Sequence, residues 1–153
     1  MRYVVLLAPL LAVLALACQG GDGYDRDNQA LMETIPQYPS AILVARTKFT
    51  ETFPVASRAL VQAYATPDSP QAVLAFFREQ LVDQGWQLES GDKSTVTPVY
   101  VKGSAEVIIN GPSTILEPNF VGAEDVERLA ETPPGTATIF SVSVNAQARS
   151  GGR

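Results

Sequence analysis

Few side chains of this sequence could carry out covalent or acid–base chemistry. The chain has 153 residues and no histidine, and Cys18 is its one cysteine. These counts exclude nucleophilic catalysis of the Ser-His-Asp or Cys-His type, a histidine-ligated zinc ion and an intramolecular disulfide. A serine–lysine pair and several carboxylates are the catalytic candidates that remain.

Ser90 and Lys93 match the S-x-x-K signature, in which a lysine one helical turn after the serine supports acylation of the serine. That mechanism needs the serine at the start of a helix, whereas Ser-Gly-Asp-Lys at 90–93 is typical of an exposed turn between strands. The companion motifs S-D-N and K-T-G are missing from the sequence. We expect no catalytic role for the pair, and a cell-envelope hydrolase that uses Ser90/Lys93 or carboxylates is the alternative function.

Paired carboxylates are the other route to hydrolysis, since one can act as the acid and the other as base or nucleophile. The sequence predicts no pair that converges in a cleft. Counted from Asp25, the sixth residue is Ala30 and the twelfth is Pro36, so the acidic residues of this region do not form an EF-hand calcium loop. We expect a protein that is not an enzyme and has no metal site and no cofactor. The carboxylates considered are predicted to face solvent: Glu79, Asp83, Glu89 and Glu106.

Three basic residues on two predicted strands are candidates for ligand binding. Alternation places Ile42, Val44, Arg46 and Lys48 on one face of the first strand, and Arg58 lies on the second. If the two faces coincide, the three cations form a patch that can receive a carboxylate or a phosphate. The alternative is a solvated strand face whose cations pair with acidic side chains.

The elements that must position these residues indicate an α+β fold. A helix is predicted over 69–84, with Ser69 as its N-cap, Pro70 as its first residue and a left-handed Gly85 after its end. The apolar residues of this helix recur at spacings of three and four. Strands are predicted at 41–49, 58–66, 86–89, 96–102, 105–110 and 139–144.

These elements predict a two-layer sandwich, in which one main helix packs on one face of a mostly antiparallel sheet of five or six strands. The single α+β domain is expected at 37–146, after a flexible tether at 18–36 and before a disordered tail at 147–153. The residues from 113 to 135 interrupt the regular pattern and contain a short helix predicted at 123–130. Phe120 and Val121 are the apolar residues of this excursion, and they either dock it onto the core or contact a partner.

The N-terminus predicts export. Residues 3–17 are fifteen consecutive uncharged residues after Met1-Arg2, too few for a hydrocarbon core that needs about 20. They fit a signal peptide at 1–17. Ala15-x-Ala17 suits the ordinary signal peptidase, and the same residues precede Cys18 as they would a lipidated cysteine. Loss of residues 1–17 changes the net charge from −5 to −6, because Arg2 is the one charged residue removed. The chain has no basic cluster, so we expect no nucleic-acid partner.

Several motifs together resemble small bacterial lipoproteins of uncharacterised function. Leu14-Ala15-Leu16-Ala17-Cys18 is similar to a lipobox, and Gly/Asp-rich residues follow it. Within 37–88, the fragments Tyr-Pro-Ser-Ala, Tyr-Ala-Thr-Pro-Asp-Ser-Pro, Phe-Phe-Arg-Glu-Gln-Leu and Gly-Trp also resemble these proteins. The resemblance implies diacylglycerol and palmitate on Cys18, attachment to the outer side of a bacterial membrane, and a binding or accessory role in the cell envelope. An envelope protein is then a further expected partner.

Overall fold

A computed structural model describes residues 22–51, 57–90, 97–111 and 132–148. Within these ranges the chain forms two α-helices and six β-strands. In chain order they are α1 (Asp22–Thr34), β1 (Ile42–Glu51), β2 (Ser57–Thr66), α2 (Pro70–Asp83), β3 (Gln87–Ser90), β4 (Val99–Lys102), β5 (Ala105–Asn110) and β6 (Thr138–Asn145). The predicted α+β class is confirmed.

The six strands form one antiparallel sheet in the order β1-β2-β6-β5-β4-β3. The last strand of the chain therefore lies in the middle of the sheet, between the β1–β2 hairpin and the β3–β4–β5 meander. Leu60 pairs with Val144 and Tyr64 with Phe140, which places the alternate residues of β2 and β6 on a common face. Both helices cover this face.

Helix α2 has the ends that the sequence predicts. The Ser69 side chain accepts a hydrogen bond from the Ala72 backbone N–H, and Pro70 is the first helical residue. At the other end the Gly85 N–H donates to the Val82 carbonyl at 2.9 Å and the Trp86 N–H to the Leu81 carbonyl at 3.0 Å. This pair of bonds is a Schellman motif, and it turns the buried Trp86 back onto the helix.

Helix α1 corrects the predicted boundaries of the domain. The tether predicted at 18–36 is wrong from Asp22 onward, because Asp22–Thr34 is helical and buries Asn28 and Met32, with Ile35 one residue beyond its end. Spacings of four and three between these residues place them on one side of the helix, where a contact with the sheet offsets the entropy of ordering the segment. The folded unit begins at or before Asp22.

One apolar core lies between the two helices and the sheet. Phe77, Leu81, Tyr100, Val107, Ile109 and Val144 are at most 1% exposed. Leu74 is partly buried beside this core, and Arg78, which is half-buried on α2, contacts the buried Tyr100 through a side-chain hydrogen bond. The full buried cluster is Met32, Ile35, Leu60, Val73, Phe77, Leu81, Trp86, Tyr100, Val107, Ile109, Phe140, Val142 and Val144.

The end of the chain is ordered further than the predicted tail allows. Gln147 donates from its side chain to Asp27 Oδ2 at 2.9 Å and from its backbone to Asn145 Oδ1 at 3.0 Å. Gln147 therefore belongs to the folded domain, although it is the first residue of the predicted tail. The excursion predicted at 113–135 ends in a turn in which the Thr136 N–H donates to Pro133 O at 3.2 Å and Gly135 has φ +84°. The predicted helix at 123–130, Phe120 and Val121 lie outside the described residues.

Candidate functional site

A partly open cleft lies between the end of α1, the connection to β1 and the helix-covered face of the sheet. Its volume is about 30 Å³, which is room for about two water molecules. A site of this size accepts a small group or the tip of a longer ligand. Its lining residues are Met32, Ile35, Pro36, Gln37, Tyr38, Gln62, Tyr64, Phe77, Phe140 and Val142.

Aromatic rings fix the shape of the cleft. The Tyr38 ring packs edge-on against Phe76, with ring centroids 5.1 Å apart, and against Phe140 at 6.0 Å. Tyr64 stacks on Phe140 at 5.3 Å, with an angle of 19° between the ring planes. Offset and edge-on pairs are the favourable arrangements of aromatic rings, so these contacts hold the cleft wall in one geometry. Burial raises the pKa of Tyr64, which keeps its hydroxyl protonated.

A buried polar side chain, Gln62, lies among the aromatic and aliphatic residues of this lining. Gln62 is 6% exposed, and its amide lies between Tyr64 and Arg46. We assign the amide with its oxygen toward Arg46, because the opposite orientation would bring the amide NH₂ against the guanidinium, donor to donor. In this orientation Gln62 Oε1 accepts from Arg46 Nη2 at 2.7 Å and from Nε at 3.0 Å, and Gln62 Nε2 donates to the Tyr64 hydroxyl at 2.5 Å.

The register of the β1–β2 hairpin brings the three predicted cations to one face. Arg46 pairs with Gln62, Lys48 with Leu60 and Thr50 with Arg58, so Arg46, Lys48 and Arg58 all lie on the helix-covered side. The two strand faces therefore coincide, which is the condition for a cationic patch. A bulge between Leu43 and Ala45 changes the rest of the pattern, since Leu43 pairs with Tyr64 and thereby takes the position expected for Val44.

Two of these cations contact α1. Lys48 Nζ forms an ion pair with Asp25 Oδ2 at 2.5 Å, and the Arg58 guanidinium lies over the Tyr24 ring, 5.9 Å from its centroid. Arg46 instead contacts Gln62 of the cleft lining. The edge of the cleft formed by Arg46, Gln62 and Tyr64 is called the rim below. Among residues 22–51, 57–90, 97–111 and 132–148, the structure shows no carboxylate paired with Arg46.

A second polar cluster holds the connection between α1 and β1. The Ser40 hydroxyl donates to Asp68 Oδ2 at 2.5 Å and accepts from the Thr66 hydroxyl at 2.8 Å. The Asp68 carboxylate also accepts a hydrogen bond from Tyr38. Hydrogen bonds from Ser40 and Tyr38 lower the pKa of Asp68, and burial together with the Asp68 charge raises the pKa of Tyr38. The cluster fastens the Tyr38 ring over the cleft.

The catalytic candidates lie on separate elements. Glu79 and Asp83 are exposed on α2, and Glu89 is exposed on β3, while Glu106 is half-buried on β5. Ser90 ends β3 and does not begin a helix, so the geometry expected for S-x-x-K acylation is not present at the serine. Lys93 and Cys18 lie outside the described residues. In the described part of the chain, no group of carboxylate, cysteine or histidine side chains is arranged to hold a metal ion.

Sequence reasoning named Arg46 but missed most of the cleft. Tyr38, Ser40 and Asp68 come from two loops that meet only in the fold. One signal was available at Gln62, because an amide that shares a strand face with apolar residues is a buried polar group in need of partners. Met32 and Ile35 were missed because their segment was assigned to the tether.

No helix in the described part of the chain has the length and hydropathy needed to cross a membrane.

Comparison with known proteins gives a limited likeness. Searches of curated proteins and of solved structures gave no match. A family model described as START domain-like matches residues 49–110, which run from the end of β1 through β5. The matched stretch is similar to domains that are generally ligand-binding modules, and this likeness favours a binding role.

Proposed function

We propose that this chain is a lipoprotein of a bacterial cell envelope, tethered to the outer side of a membrane through Cys18, and that it binds a small ligand in the cleft beneath Tyr38. The observation that carries the binding role is the cleft itself. It brings aromatic and aliphatic side chains together with hydrogen-bonding groups of Gln37, Gln62 and Tyr64, a combination that can hold and orient a small group. The START domain-like match over residues 49–110 includes Gln62, Tyr64 and Phe77 of its lining.

The size of the cleft limits what enters it. About 30 Å³ admits a short hydrocarbon end but not a whole lipid chain. The proposed ligand therefore inserts a small apolar group between Met32, Phe77 and Phe140 and leaves the rest of its surface at the rim. The proposed lipid anchor fits such a role, because an anchored domain meets ligands at or near the membrane surface.

Met32 makes a direct test of binding. The sequence has two methionines, Met1 and Met32, so Met32 is the one native methionine that remains after loss of residues 1–17. The chain would be labelled with [methyl-¹³C]methionine and titrated with hexanol and with hexanoate at millimolar concentrations. We expect a saturable shift of the Met32 methyl resonance with at least one of these probes, because Met32 lines the cleft.

A cleft-filling variant and a matched control make the test specific. Val142→Phe adds a ring inside the cleft and is expected to abolish the shift, whereas Val82→Phe adds the same ring at an exposed position of α2 and is expected to preserve it. Thermal unfolding of both variants checks that each one folds. Shifts that do not saturate, or that persist unchanged in a folded Val142→Phe variant, would refute binding in this cleft.

A further inference from the structure

Building on the proposed function, we infer that the ligand of this cleft carries an anionic group, a carboxylate or a phosphate ester, that binds Arg46 at the rim. The ligand would then be a small anionic amphiphile, with its hydrocarbon end in the cleft and its charge outside. Arg46 lies on β1 before residue 49, so this rim is formed in part by residues outside the START domain-like match.

The hydrogen-bonding groups of the rim are mostly donors. Gln62 Oε1 is occupied by Arg46, and Gln62 Nε2 donates to the Tyr64 hydroxyl oxygen. The Tyr64 O–H is therefore left to donate, as are the second N–H of the Gln62 amide and the guanidinium N–H groups that do not face Gln62. Arg46, Gln62 and Tyr64 together therefore offer several donors, which an acceptor-rich anion satisfies better than a neutral or cationic group does.

Within the described part of the chain, no carboxylate lies within ion-pair distance of Arg46. Asp25 neutralises Lys48, and Arg58 lies over the Tyr24 ring, whereas Arg46 has only the neutral Gln62 amide as its partner. Gln62 receives two donors from the guanidinium and so fixes its plane. A guanidinium held in one orientation with free N–H groups can bind a carboxylate or phosphate through two parallel hydrogen bonds.

The surroundings of Arg46 fit an amphiphile better than a free anion. Arg46 is exposed, so the anion stays in contact with water and avoids the large cost of burying a charge. Leu43 is 46% exposed and pairs with Tyr64 on the same side of the sheet, which adds an apolar contact at the rim. Phe140 and Val142 line the cleft next to this rim.

The test compares three probes that share one hydrocarbon chain: hexanoate, hexyl phosphate and hexanol. Each is titrated against the labelled chain with the Met32 methyl resonance as the readout. We expect at least one of the two anions to bind about tenfold more tightly than hexanol, since a hydrogen bond to a charged group contributes that much. Added salt should reduce this difference in affinity, because dissolved ions screen the attraction between the anion and the exposed Arg46. The better of the two anions identifies carboxylate or phosphate as the natural head group.

Arg46→Met and Lys48→Met separate a specific site from a general positive field. In Arg46→Met the two anions should bind no more tightly than hexanol binds to the same variant. Lys48→Met removes a cation two residues away on the same face and should retain the preference. Equal binding of all three probes, or an equal loss in both variants, would overturn the anionic ligand while leaving the cleft as a binding site. If no probe shifts Met32, the proposed function itself is contradicted.

Discussion

Asp68 fastens the connection between α1 and β1, which lines the cleft, to the loop between β2 and α2. It belongs to the segment between β2 and α2, and it accepts hydrogen bonds from Ser40 and Tyr38 on the segment between α1 and β1. These bonds favour the charged form of the carboxyl group, so the pKa of Asp68 is lower in the folded chain than in the unfolded chain. The contribution of Asp68 to stability therefore depends on pH.

We expect Asp68→Asn to reduce the free energy of unfolding at neutral pH and to have little effect in acid. A lowered folded pKa stabilises the native state fully above the ordinary aspartate pKa of about 4, and this stabilisation is lost as the pH falls through the folded value. Denaturant unfolding of both proteins from pH 7 to about pH 2 measures the difference. A constant difference across this range would contradict the role of the Asp68 charge.

The residues of the rim show what alternation along a strand can predict. Period two predicts that Arg46 and Lys48 share a face of β1, and the register of the hairpin adds Arg58 of β2 to that face. Val44 was misplaced because a bulge adds one residue to the period at 43–45, and no turn residue marks that position in the sequence. The contacts of Lys48 and Arg58 with α1 do not follow from the sequence pattern, because that pattern predicts a flexible tether where α1 lies.

At the scale of elements, α2 was predicted well because its ends depend on local chemistry. Gly85 has φ +84°, a conformation in which a Cβ is strained, and a Cβ built at this position meets no atom within 4 Å. The cost of a side chain at Gly85 therefore comes from the backbone alone.

Gly85→Ala should lower the free energy of unfolding by about 1 kcal/mol, whereas Gly85→Asn should cost less because asparagine tolerates the left-handed region. Gly23→Ala is the matched control, since Gly23 lies in α1 with open space around it and without a positive φ. The control should be neutral or stabilising, because alanine has the higher helix propensity. Thermal unfolding of the three variants measures these changes, and equal effects at positions 23 and 85 would contradict the backbone explanation.

Helix α1 was missed because its first residues are acidic and polar and its buried side is narrow. Asn28 ties this helix to β2 and to the residue that follows β6: its side chain donates to the Arg58 carbonyl at 2.9 Å and accepts from the Ala146 N–H at 2.8 Å. A buried amide with both ends satisfied is a tertiary feature, and nothing in the local sequence distinguishes it from a polar linker residue.

Met32→Ala tests whether α1 belongs to the folded unit. Met32 is 7% exposed in the core, and its truncation should lower the free energy of unfolding by about 2–4 kcal/mol. Glu33→Ala changes the exposed neighbour and should stay within about 0.5 kcal/mol of the unmodified chain. Denaturant unfolding distinguishes these expectations from those of a flexible tether, in which neither substitution would change stability.

At the scale of the whole molecule, the two-layer arrangement could be predicted from two apolar surfaces. The apolar stripe of α2 and the apolar face of the strands must each be buried against another element, and packing them together buries both. The strand order could not be predicted. β6 enters between β2 and β5, and this pairing depends on contacts between residues far apart in the chain, such as Leu60 with Val144. The cleft depends on the same long-range arrangement, since its lining comes from α1, β2, α2 and β6.

The proposed place of the molecule at a membrane depends on one sulfur atom. Without residues 1–17 the chain would have a net charge of −6, which opposes adsorption to anionic lipid, so the proposal needs acyl chains on Cys18 for the attachment. Cys18→Ser should therefore move the protein from the membrane fraction to the soluble fraction of the cell envelope. Cell fractionation measures this redistribution, and Ser104→Ala, a hydroxyl substitution on the β4–β5 turn, is the control that should remain with the membrane.

Intact-mass analysis of the same membrane fraction distinguishes the two processing routes. Lipidation predicts a chain that begins at Cys18 and carries the added mass of its acyl groups. Cleavage by the ordinary signal peptidase predicts the same first residue with a bare thiol, and the protein would then be soluble without any substitution. A bare thiol on membrane-bound protein, or unchanged fractionation of Cys18→Ser, would contradict the lipid anchor, while the binding cleft of the folded domain would still be open to the Met32 titration.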